Sequence, residues 1–133
     1  MKLAKKSIIG VIASVACLAF AVNAHAGTNT SVVPATGYGS LTGTVEYVSG
    51  NAYAMWYTNV ANNPDNAYTT IVGSQQNISG TTLRTFTATG LRGTGGIGRG
   101  DDKHPSAYAF YGTHGVQGGN TYSAYAAYTV THT

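Results

Sequence analysis

The sequence predicts an all-β fold: one small domain, a β-sandwich or barrel of about six short antiparallel strands. Three observations carry this. No stretch after residue 26 keeps a helical apolar period, whereas short runs alternate with period two. Gly, Asn and Pro punctuate those runs at turn positions. Ten tyrosines, one tryptophan and recurring Thr and Val suit a pleated, half-buried surface and argue against disorder.

Each strand has its own justification. Ser40–Val48 sets Leu41, Gly43, Val45 and Tyr47 against Thr42, Thr44 and Glu46. Ser49-Gly50-Asn51 is a tight turn, because Gly and Asn tolerate positive φ. Ala52–Val60 follows, apolar on both faces through Ala54 and Trp56 on one and Met55 and Tyr57 on the other; a central strand needs this. Asn62-Asn63-Pro64-Asp65 turns the chain into a short strand, Ala67–Val72, followed by a polar loop, Gly73–Gly80. Thr81–Leu91 is Thr-rich, with Arg84, Phe86 and Ala88 on one face. Arg92–Pro105 reads as a long, mobile Gly-rich charged loop. Ser106–Thr113 and Thr121–Thr131 complete the set, joined through His114–Asn120. Gly27–Gly39 is either a loose arm or a first edge strand. The pattern [Asn/Ser]-Ala-Tyr-Ala recurs at Asn51, Ser106 and Ser123, which places Ala and Tyr on opposite faces. It fits a core of Ala–Tyr strands or a ligand platform.

Residues 1–26 have the form of a cleavable signal peptide. Lys2, Lys5 and Lys6 precede an apolar run from Ile8 to Val22, and Ala24-His25-Ala26 gives the small-x-small cleavage pattern. Cys17, the one cysteine, lies in the apolar run, so the mature domain, 27–133, is cysteine-free. No membrane span is expected after processing. The protein is then secreted, or periplasmic where the source has an outer membrane. The full chain carries net +3, but three of its seven basic residues are those lysines. What remains is Arg84, Arg92, Arg99 and Lys103 against Glu46, Asp65, Asp101 and Asp102, formally neutral. A nucleic-acid partner is excluded, since no basic stripe exists to displace counterions.

The segment Arg92–Pro105 is the least ordinary and supplies most candidate binding residues: Arg92, Arg99, Asp101, Asp102, Lys103 and His104. Trp56, Tyr108 and Tyr111 are the aromatic candidates. Gly93-x-Gly95-Gly96-x-Gly98 lacks the surrounding βαβ unit of a dinucleotide loop. Arg99-Gly100-Asp101 matches an integrin-type tripeptide too short to carry weight. Asp101 and Asp102 could hold calcium only with backbone carbonyls. His104, His114 and His132 fit no ligand spacing and face no evident nucleophile. No enzyme activity, cofactor or metal is expected.

Gly37-Tyr38-Gly39, Asn51-Ala52-Tyr53-Ala54-Met55-Trp56-Tyr57, Thr69-Thr70-Ile71-Val72 and Ser106-Ala107-Tyr108-Ala109-Phe110-Tyr111 together resemble the lactococcin-type, cysteine-free β-sandwich bacteriocins. The resemblance implies a secreted antibacterial acting on related bacteria at the cell envelope. The expected function is therefore non-enzymatic binding to a bacterial envelope component or polysaccharide. Two alternatives stand beside it: a matrix protein self-associating through Tyr/Ala strands, and a carbohydrate-binding module using Trp56 and exposed tyrosines.

Overall fold

Alternation of apolar and polar residues along the chain builds eight strands in the computed structural model, which describes residues 25–133. They are β1 His25–Ala35, β2 Gly39–Tyr47, β3 Tyr53–Val60, β4 Tyr68–Gln76, β5 Thr82–Thr89, β6 Gly96–Asp102, β7 Ala109–Gln117 and β8 Tyr125–His132. The fold is all-β, with no helix among the described residues. All but the last two residues of the expected signal peptide, 1–26, lie outside the described residues.

Two antiparallel sheets face each other: β5-β4-β7-β8 and β1-β2-β3-β6. They join at one corner, where His25 and Ala26 run parallel to Thr131 and His132. The Thr131 hydroxyl also donates to the Gly27 carbonyl at 2.9 Å. Beyond that point β1 pairs only with β2, and Pro34, which has no N–H to offer, sits on the unpaired side. The strand order ends at β5 on one side and β6 on the other.

The β2–β3 hairpin forms as its sequence dictates. Gly50 adopts φ +87° and Asn51 N–H closes the turn on the Val48 carbonyl. β3 is central, between β2 and β6. Its inward residues Ala54, Trp56, Thr58 and Val60 alternate with the outward Tyr53, Met55, Tyr57 and Asn59. Trp56 is fully buried, edge-on to Phe86 at 4.9 Å and near Phe110 at 6.2 Å. Its indole N–H crosses to the Tyr111 carbonyl in the other sheet at 2.9 Å. In two copies of the recurring motif one Ala goes inside and Tyr outside: Ala54 and Ala107 are buried, Tyr53 and Tyr108 exposed; in the third, Tyr125 packs against the core beside Tyr38. The small residues let the sheets approach, and Trp56, Tyr38 and Phe110 fill the interior.

A polar tie also crosses the core. The Thr58 hydroxyl donates its one proton to the Thr70 carbonyl at 3.0 Å. His114 Nδ1, 2.9 Å from that hydroxyl, must therefore be the donor to it. Nε2 then accepts from the Thr129 hydroxyl at 2.7 Å, which fixes a neutral imidazole. Side chains at Gly43 or Gly112 would collide with this ring. Burial pushes the His114 pKa down to about 4, against a weaker opposing contribution from the Tyr57 backbone.

Three sequence-based expectations need correction. Arg92–Pro105 is not one loop: Gly96–Asp102 is β6, paired along its length with β3. The expected loop Gly73–Gly80 is strand as far as Gln76. β7 runs to Gln117, so His114 lies inside a strand rather than in a connection. Trypsin is accordingly expected to leave the Arg99–Gly100 bond intact in the native protein and to cut it only once the fold opens. Early cleavage there would contradict the β3–β6 pairing.

Candidate functional site

The nine residues expected to form a binding site do not form one surface. Trp56 is in the core, not on a sugar-stacking face. Arg99 lies in β6 with its guanidinium over the Phe86 ring, 5.4 Å from the centroid, covering the open side of the sandwich. Asp101 accepts from buried Gln75 Nε2 at 2.8 Å, and the Asp102 carbonyl accepts from the same nitrogen at 2.7 Å. His104 N–H donates to Gln75 Oε1 at 2.8 Å, and Lys103 reaches back to the His104 carbonyl. These groups therefore pin β6 and its exit turn to β4. Tyr108 stacks on His132, rings 5.4 Å apart and nearly parallel. Tyr111 is on the outer face of β7, packed with Val130 and Tyr128. Arg92 stands at the opposite end of β6 from Asp102.

A different feature emerges on the outer face of the β5-β4-β7 sheet, where non-consecutive strands place threonines side by side. Tyr68 pairs with Gln117; Thr70 lies between Thr89 and Gly115; Val72 lies between Thr87 and Thr113. Gly115 contributes no side chain to its row, and the Thr70 hydroxyl occupies the place where one would begin. The result is a cleft of about 110 Å³ lined by Tyr68, Thr70, Val72, Thr87, Thr89, Thr113 and Gln117.

Thr113 and Gln117 are 3% and 4% exposed, yet Thr113 Oγ1 and Gln117 Oε1 have no hydrogen-bond partner among the described residues. A buried polar atom left unpaired costs about 1–3 kcal/mol, so two on the lining of one cleft are a costly arrangement for structure alone. The lining has no His, Cys, Asp or Glu, so it offers no carboxylate or imidazole for proton transfer. Among the described residues no group of three or more His, Cys, Asp or Glu is placed to bind a metal. No helix of the described residues is long and apolar enough to cross a membrane.

One end of the cleft is held by charge. Arg92 Nη1 donates to the Gly118 carbonyl at 2.6 Å and the Asn66 carbonyl at 3.2 Å. Its guanidinium lies over the Tyr68 ring, 5.0 Å from the centroid. Beneath, Asp65 accepts from the Thr121 and Tyr122 amides and from the Tyr38 hydroxyl. Burial opposes its charge, but these donors outweigh it and hold the carboxyl below its usual range. Burial and the Asp65 carboxylate push the Tyr38 hydroxyl up to about 12. Asn63 braces the same end, bridging the Ala67 backbone and the Thr94 carbonyl.

The fold and this cleft define an all-β sandwich with a threonine-lined depression on one outer face. No protein-family model, no curated protein and no solved structure matches the chain.

Proposed function

We propose that the chain is an exported, non-enzymatic binding protein of the bacterial cell envelope, secreted or periplasmic, that holds one residue of a polysaccharide in the β5-β4-β7 cleft. The observation that carries this reading is the pair of buried, unpartnered polar atoms, Thr113 Oγ1 and Gln117 Oε1, in its lining. Both atoms show less than 1 Å² to solvent, so a sugar hydroxyl supplies the partners they lack once the two side chains turn toward the cleft, and the Tyr68 ring and the threonine methyls suit a pyranose's apolar flanks. The volume, about 110 Å³, is far below an enclosed ligand pocket and suits a single ring of a longer chain. Antibacterial action of the bacteriocin kind is the sharper form of this reading: the protein occupies an envelope polysaccharide.

Thr113→Val separates a ligand role from a structural one. The substitution keeps the shape and removes the unpaired hydroxyl. It is expected to stabilise the free protein by up to about 1 kcal/mol while weakening binding to isolated cell walls. Loss of stability with unchanged binding would overturn the reading. Intact mass of the exported protein tests the export claim, with residues 27–133 alone expected.

One observation favours a second reading, self-association. β5 ends the strand order without Pro or Lys, and Ile78 and Leu91, 79% and 78% exposed, flank its ends. Sedimentation that depends on protein concentration, abolished by Leu91→Lys, would support it; a monomer at all concentrations would not.

A further inference from the structure

We infer that the cleft selects an anionic saccharide, with Arg92 binding a carboxylate or phosphate substituent while Thr113 and Gln117 bind the ring. This rests on the polysaccharide reading above and names the ligand's chemical class.

Arg92 is held through a single guanidinium nitrogen. Both of its hydrogen bonds leave from Nη1, to Gly118 and Asn66. The Nε and Nη2 donors, the fork that grips a carboxylate or phosphate through two parallel bonds, have no partner among the described residues. The guanidinium plane is fixed by those two carbonyls and by the Tyr68 ring beneath it, so little side-chain freedom is lost when an anion docks. Tyr68 lines the cleft, and Gly118 directly follows Gln117, so the fork stands at the end of the cleft where Gln117 lies.

The surrounding charge agrees. Arg92 forms no ion pair with a carboxylate among the described residues. Asp65, nearest in sequence to its anchor Asn66, is satisfied by two amides and a phenol. Glu46 lies in β2 of the other sheet, and Asp101 and Asp102 lie at the far end of β6. The cleft lining itself carries no charge. A neutral cleft with one oriented cation at its end adds a directional preference for an acidic substituent without making the surface a general polyanion binder.

The test is calorimetric titration of the exported protein with three probes: maltohexaose, oligogalacturonate and a glucosylated poly(glycerol phosphate). At low salt the wild type is expected to bind one or both anionic probes at least tenfold tighter than maltohexaose, with the advantage shrinking as salt rises. Arg92→Gln should abolish the advantage, with the blue-shifted emission of the buried Trp56 showing that the variant is folded. Arg92→Lys, a charge without the fork, should restore only part of it. The two anionic arms distinguish carboxylate from phosphate. Equal affinity for all probes, or an advantage that survives Arg92→Gln, overturns this inference and leaves the polysaccharide reading standing. If no probe binds the wild type, both fall.

Discussion

Replacing Trp56 with Ala is expected to cost about 4 kcal/mol or more, a large share of the roughly 5–15 kcal/mol that holds a domain of this size together. The residue is fully buried against Phe86 and Phe110, and its N–H is the hydrogen bond from β3 to the opposite sheet at Tyr111. Truncation opens a cavity between the sheets and leaves the Tyr111 carbonyl without that donor. Trp56→Phe keeps most of the packing and loses the bond, so a smaller loss, about 1–2 kcal/mol, is expected. Urea unfolding measures both. As the one tryptophan in the chain, Trp56 also reports directly: native emission should be blue-shifted and resistant to iodide. Emission quenched as freely as in the unfolded chain would contradict its burial.

Acid is expected to weaken the fold through His114. Unfolded, His114 takes up a proton near pH 6.5; folded, it refuses one until about pH 4. Below pH 6.5 the unfolded state therefore binds more protons, and stability falls as pH drops. The full loss, complete below pH 4, is about 3 kcal/mol, most of it by pH 4.5. The geometry explains the sign: Thr58 has given its proton to Thr70, so Nδ1 must donate, and Nε2 already accepts from Thr129. Protonating Nε2 removes that acceptor inside a core with no carboxylate partner for the new charge among the contacts that hold the ring. Asp65 acts in a separate window. Its depressed pKa supplies stability above the ordinary carboxyl range that disappears only as pH falls below it. Denaturation midpoints at pH 7.5 and 4.5, with a histidine-resolved NMR titration, check this. Equal stability at both values, or His114 titrating near 6.5, would contradict it.

The parts of the fold that were legible in the sequence are those where each strand supplies its own side chains. Ser40–Val48 is β2 shifted by one residue and Ala52–Val60 is β3 with one residue more at its start, because both alternate cleanly about a Gly-Asn turn. β6 was not legible. Its outward positions are Gly96, Gly98 and Gly100, and the space above them is filled by Asn59, Tyr57 and Met55 from β3. A local reading sees three chain-breaking glycines; the sheet uses them as slots for a neighbour's side chains. Gly73, filled by the Phe86 ring, concealed the second half of β4 in the same way. Trp56 was misplaced because β3 is apolar on both faces, and periodicity alone does not say which face turns inward.

The cleft was invisible for a topological reason. Thr70, Thr87 and Thr113 each read as ordinary strand formers, and nothing local marks Thr113 or Gln117. They meet because β4 lies between β5 and β7, an order fixed by pairing between distant segments. Of the nine residues expected from the sequence to bind a partner, only Arg92 borders this cleft.

The most direct test of the account is a backbone-amide NMR titration of the exported protein with the tightest-binding of the three saccharide probes. The largest shifts are expected at Tyr68, Thr70, Val72, Thr87, Thr113 and Gln117, extending to Arg92 and Gly118 for an acidic probe, with β1 and β2 undisturbed. Shifts confined to β6 and the Lys103–His104 turn, or none localised to the β5-β4-β7 face, would contradict it.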